Sequence, residues 1–316
     1  MEAVLNPALI LFLSGIIIGI TFKITLPNSI SKYLGYYLLL ALGLKGGLSL
    51  QENGFINDVI SALSLGILFA LLIPAIAYIY LKNILNTDDA AALSGTYGSV
   101  SAVTFVTAIA YLSTTNQDFD NYMSAVLVVM EFPAIFMALY LVTHNKINKG
   151  TNLQTIKTAF LEIPNIILIS SLFVGYFVNK TVISNIDIFI VTVFDYILYV
   201  FLFVMGTRVA KRTGELKGKG VNLIAFALLT PLIGSLIALI ASINFDLSVG
   251  NSTLLMVLTA SASYIAVPAV VKDAIPDANP AIYLGLSLGV TFPFNIIFGI
   301  PSVSYTHLTL PTTPYV

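Results

Sequence analysis

The chain has no cysteine and no tryptophan, and only 9% of its 316 residues carry charge. Without cysteine, disulfides, thiolate metal centres and cysteine nucleophiles are excluded. Without tryptophan, any aromatic belt at a membrane surface must be built from the 16 tyrosines. The two histidines, His144 and His307, lie far apart and outside the apolar segments, so a histidine-based metal or catalytic cluster is not expected. The net charge of −1 points to no nucleic-acid partner. A soluble domain carries roughly 25% charged residues, and this composition falls far short of that.

What is abundant is apolar sequence, at 58% hydrophobic residues and a mean hydropathy of +0.95. A bilayer span needs about 20 apolar residues. Ten segments qualify: 7–22, 31–50, 58–81, 88–112, 121–143, 163–179, 187–209, 220–243, 251–272 and 279–301. The predicted fold is an all-α polytopic membrane protein with membrane lipid as its solvent. The first segment lacks a basic leader and reads as a retained span rather than a signal peptide.

Basic residues test the count. With the N-terminus outside, inward loops carry Lys23 and Lys32, then Lys82, then Lys146, Lys149 and Lys157. They continue with Arg208, Lys211, Arg212, Lys217 and Lys219, and end at Lys272. Of the 14 basic residues only Lys45 and Lys180 fall elsewhere. That asymmetry is what the positive-inside rule requires, and it places both termini outside. Residues 1–144 and 160–303 then form two five-segment repeats joined by a cytoplasmic linker, 145–159. An odd number of spans per repeat inserts the second upside down. Residues 304–316, rich in threonine and proline, read as a foreign or disordered tail.

Two stretches break their segments with small hydroxyl residues and a helix breaker. The first is Leu93-Ser94-Gly95-Thr96-Tyr97-Gly98-Ser99-Val100-Ser101-Ala102-Val103-Thr104. The second is Leu258-Thr259-Ala260-Ser261-Ala262-Ser263-Tyr264-Ile265-Ala266-Val267-Pro268. Irregular backbone survives at membrane depth only against protein or a water-filled cavity. Matched breaks in two halves point to the substrate site of a secondary transporter. Helix N-termini near Ser99–Ser101 and Ser263–Val267 would face each other and offer N–H groups to an anion. The hydroxyls of Ser99, Ser101, Thr104, Ser261 and Ser263 can donate to an oxyanion, and carbonyls freed at the breaks suit a small alkali cation. Runs of small residues also serve plain close packing, and that reading stays open.

Glu131, midway along the fifth segment, is an intramembrane carboxylate that either helps hold a cation, orients the broken helix, or is structural. Asp195 could pair with Lys45. Arg208, Lys211 and Arg212 read as inner-surface anchors. Asp88 and Asp89 suit a helix N-terminus, and Gly46, Gly47 and Gly206 mark close helix contact.

Four motifs carry a resemblance: Gly43-Leu44-Lys45-Gly46-Gly47, Gly98-Ser99-Val100-Ser101, Met130-Glu131-Phe132-Pro133-Ala134 and Ala274-Ile275-Pro276-Asp277-Ala278-Asn279-Pro280. Over residues 1–301 the chain resembles the sodium-dependent bicarbonate permease family of bacteria and cyanobacteria. The resemblance implies ten helices as a 5+5 inverted repeat with core and gate domains, a homotrimer, and a bacterial plasma-membrane location. It implies a symporter that is not an enzyme, with sodium as the coupling ion and no other cofactor. By that carry-over Ser99, Ser101, Thr104, Ser261 and Ser263 face the substrate. Gly98 and Tyr264 are grouped with them, Tyr264 standing where family members carry an acidic residue, and Ser99, Thr104, Glu131 and Ser263 are the candidate cation ligands. The family's cytoplasmic insert is short here, so docking of a PII-like regulatory protein is left open. The same architecture could also serve another small anion or a carboxylate, or act as an anion channel.

Overall fold

The computed structural model describes residues 7–24, 26–145, 161, 163–178, 193–212, 220–264, 267–268, 270–271 and 275–309. The linker beyond Asn145, Lys180, Lys217, Lys219 and Lys272 lie outside the described residues. Described secondary structure is entirely helical: α1 (Pro7–Phe22), α2 (Asn28–Asn53), α3 (Asn57–Leu81), α4 (Thr87–Gly98), α5 (Ala102–Thr114) and α6 (Met123–Asn145) come first. They are followed by α7 (Ile163–Phe177), α8 (Val193–Arg212), α9 (Val221–Asn244), α10 (Val249–Ala260), α11 (Pro280–Leu286), α12 (Phe292–Phe294) and α13 (Ile300–Thr309).

Seven helical stretches are long and apolar enough to cross a bilayer: 29–53, 57–81, 87–114, 123–141, 193–211, 221–244 and 280–304. Three shorter apolar helices, Pro7–Phe22, Ile163–Phe177 and Val249–Ala260, fall in the remaining expected segments, the last covering only the first half of 251–272. The chain is thus a multi-pass membrane protein. Helix α2 outlasts its expected segment, because Gln51, Glu52 and Asn53 continue the coil beyond the apolar run until Gly54 stops it at φ 64°.

Two packing groups follow from the small residues. Helix α1 lies along α8, and α2 along α7. In the first pair Gly15 meets the carbonyl of Phe203 and Gly206 that of Phe12. In the second pair Gly47 meets the carbonyl of Leu172 and Gly175 that of Leu44. A side chain at any of these four positions would strike main chain, so the expected close contacts at Gly47 and Gly206 are present. The second group packs α3 on α4 and α6, and α9 on α10 and the last helix. The α4–α5 stretch is the most enclosed of the seven long ones, at 89% buried.

The last helix, 280–309, is uneven. Wide π-helical turns at Ser287–Thr291 and Asn295–Gly299 flank the Phe292-Pro293 step. Pro293 has no N–H to give, and π turns commonly accompany functional sites. The helix runs on to Thr309, past the point where the repeat was expected to end, and residues 310–316 lie outside the described residues.

Candidate functional site

Both expected breaks are present, with the same backbone shape. Helix α4 ends at Gly98, whose Cα sits so close to the Pro74 ring that a Cβ would collide with it. Ser99 is then extended, at φ −89° and ψ 170°. Helix α10 ends at Ala260 and Ser261 follows at φ −88° and ψ 164°. The chain re-enters a helix at Ser101, whose hydroxyl oxygen accepts from the Thr104 N–H at 3.2 Å and from the Thr104 hydroxyl at 2.9 Å. In the second break the Ser263 hydroxyl accepts from the Val267 N–H at 3.3 Å.

The two breaks are bonded to each other. The Ser101 N–H donates to the Ser261 hydroxyl at 2.9 Å, and the Ser263 N–H donates to the Thr96 carbonyl at 2.8 Å. Main-chain groups released by one break are thereby satisfied by the other, as burial demands. The Ala260 carbonyl takes the Asn295 side-chain amide at 2.7 Å. The Thr96 and Ala260 carbonyls, among those the breaks free, thus each accept one hydrogen bond.

Each broken helix is also pinned at its start. Asn86 and Ser248 cap α4 and α10, accepting from the N–H of Asp89 and of Asn251. Both third residues then reach across to a loop. The Asp89 carboxylate accepts the Asn279 N–H at 2.6 Å. The Asn251 side chain accepts the Asp120 N–H at 2.9 Å and donates to the Asp120 carboxylate and Tyr122 hydroxyl at 2.7 and 2.8 Å. Asp89 therefore does more than complement a helix dipole. Glu131, 8% exposed, accepts from the Ser99 hydroxyl, which fixes it beside the first break.

A cavity of about 460 Å³ lies between the breaks and helices α2, α7 and α8. Of the expected site residues, Ser101, Glu131, Ser263 and Tyr264 line it. Gly98, Ser99, Thr104 and Ser261 stand behind that lining, where they shape and hold the breaks. The Tyr264 ring meets Phe292 edge-on at 5.3 Å, and its buried hydroxyl has no hydrogen-bond partner.

Arg208 departs from expectation. It is half-buried and lines the cavity with Lys32, whereas Lys211, one turn on, is exposed at the surface as expected. Lys45 sits over the Phe194 ring at 4.6 Å, and Asp195 is exposed. Asn86, Asn251 and Asn295 went unnoticed in the sequence; a polar residue immediately before each broken helix was the available signal for the caps alone.

Membrane-buried helices, two of them broken at serines and joined to each other beside a cavity, are the architecture of a multi-pass transport protein. Residues 7–308 match the Na+-dependent bicarbonate transporter superfamily, and the chain belongs to that family. No curated protein matches it.

Proposed function

We propose that the chain is a sodium-coupled symporter that imports a small oxyanion, bicarbonate foremost, by alternating access. One observation carries this reading: two serine breaks, in helices far apart in sequence, hydrogen-bond to each other beside a cavity. Family membership supports sodium and bicarbonate as the cargo. Moving a monoanion inward against 100 mV costs about 2.3 kcal/mol. One accompanying sodium ion cancels that electrical term and lends its own gradient.

In this reading ten spans form two inverted five-helix repeats, 1–144 and 160–303, with both termini outside a bacterial plasma membrane. The paired glycine contacts support it: α1 against α8 and α2 against α7 repeat one arrangement with the halves exchanged. The matching caps of α4 and α10 support it as well. Helices α1, α2, α7 and α8 serve as the gate, and the rest as the core that carries the site. The cavity reaches the ends of α2 and α7 near Lys32 and Ile163, which in this orientation supports an inward-facing state. Ser101, Ser263 and Tyr264 face the anion, while Glu131 faces sodium. Assembly as a homotrimer follows the family resemblance.

Labelled bicarbonate uptake into proteoliposomes tests the function. Uptake is expected to require an inward sodium gradient and to saturate. Uptake indifferent to sodium would reject the coupling, and saturable sodium-driven flux of a carboxylate in its place would reassign the substrate.

A further inference from the structure

One short stretch of the last helix touches both broken helices and α1. Thr291, at the end of the first π turn, is fully buried, and its hydroxyl donates to the Ala227 carbonyl of α9 at 2.8 Å. That carbonyl needs an outside donor, because its usual helical partner is residue 231, a proline without an N–H. With the Thr291 proton engaged there, the Tyr97 hydroxyl must be the donor in its 2.5 Å bond to Thr291. The last turn of α4, just before the first break, is thereby tied to the last helix. One turn on, Asn295 holds the Ala260 carbonyl at the second break. Between these two anchors stands Phe292, 2% exposed. On one side its ring meets the cavity-lining Tyr264 edge-on at 5.3 Å. On the other it meets Phe12 of α1, again edge-on at 5.3 Å.

Granting the sodium-coupled transport proposed above, we propose that Phe292 is a positioning residue: it holds Tyr264 for the anion and passes the anion's arrival to α1 of the gate. Thr291 and Asn295 pin its backbone to both broken helices, so the ring keeps station with the site. The Tyr264 hydroxyl is buried without a hydrogen-bond partner. An oxyanion that accepts its proton satisfies that group and fixes the Tyr264 ring. The edge-on contacts then fix Phe292 and its seat against Phe12, since a close-packed interior transmits such a shift rather than absorbing it. The Phe12–Phe292 contact joins the α1–α8 pair to the core, so motion of gate against core has to break or remake it.

Spin labels test this, because a chain without cysteine accepts them at chosen sites only. Ile20→Cys on α1 and Lys82→Cys at the end of α3, both exposed, report the distance between gate and core in the purified full chain. Bicarbonate with sodium is expected to shift that distance, and choline in place of sodium to abolish the shift. In F292L the half-saturating bicarbonate concentration for thermal stabilisation should rise about two- to tenfold, as for one lost aromatic pair. The distance shift should vanish even at saturating bicarbonate. F12L, on the gate side, should lose the shift without that rise. F292M, whose sulfur can lie against both rings, should keep both readouts. A shift retained in F12L or F292L overturns the link to the gate, and unchanged bicarbonate binding in F292L overturns the hold on Tyr264. Loss of both readouts in F292M as well overturns the proposal in favour of plain packing. F12L leaves the packing of the site in place, so it decides the gate link even where F292L does not fold. Absence of any sodium-dependent shift in the labelled chain without these substitutions overturns the transport reading itself, and this inference with it.

Discussion

At the scale of single residues, burial decides which polar atoms matter. Asn295 is 2% exposed and donates its amide to the Ala260 carbonyl at the end of α10. A carbonyl can only accept, so the amide orientation is fixed by chemistry. Replacing Asn295 by leucine removes the donor at similar volume and leaves a buried acceptor unpaired, a loss of about 1–3 kcal/mol. Asn295→Asp should be worse, because a carboxylate cannot donate and would add a buried charge beside a carbonyl. Melting of the purified protein in detergent should rank wild type above the leucine variant and that above the aspartate variant. Equal melting of all three would mean that Asn295 does not hold the second break.

Whole elements obey the same rule, and here the sequence was half legible. The breaks announced themselves, because glycine and serine within an apolar run cannot sustain a helix cheaply. The residues that make the breaks tolerable did not. Asn86 and Ser248 look like ordinary loop residues, and the partners of Asp89 and Asn251 lie 190 and 131 residues away. Arg208 satisfied the positive-inside rule as a surface cation, and only the packing of α8 turned it towards a cavity. Likewise nothing in the run around Phe292-Pro293 announces the two π turns that surround it. The caps and cross-links give an element-scale expectation. Asn251→Ala removes three bonds that tie α10 to the loop before α6. At about 0.5–1.5 kcal/mol for a neutral bond and about 1.5–3 for one to a carboxylate, the start of α10 should open locally. Hydrogen exchange should accelerate over residues 249–253 and the loop 118–122, and remain unchanged in α1 and α8. Acceleration spread evenly over the chain would instead mark global destabilisation.

At the scale of the molecule, the charge distribution predicts the orientation in the bilayer. Among the described residues, one end of the α3–α6 and α9–α10 group gathers Asp58, Asp118, Asp120 and Asp246, beside Glu52 at the end of α2, with no lysine or arginine. The opposite end holds Lys82, and the cavity-side ends of α2 and α8 hold Lys32, Arg208 and Lys211. Cytoplasmic loops retain basic residues while acidic ones contribute little to sorting, so the Lys82 end should lie inside. A chain without cysteine makes every introduced thiol unique. Phe55→Cys and Phe245→Cys, at exposed turns of the acidic end, should react with an impermeant maleimide on intact cells. Lys82→Cys and Pro276→Cys, exposed at the opposite end, should react only after permeabilisation. A fully reversed pattern would invert the protein and leave the count of spans intact. A mixed pattern, with Phe55 and Phe245 on different sides, would require an odd number of crossings between them. The two broken helices would then run parallel rather than antiparallel, and their breaks could not exchange the hydrogen bonds at Ser101 and Ser263.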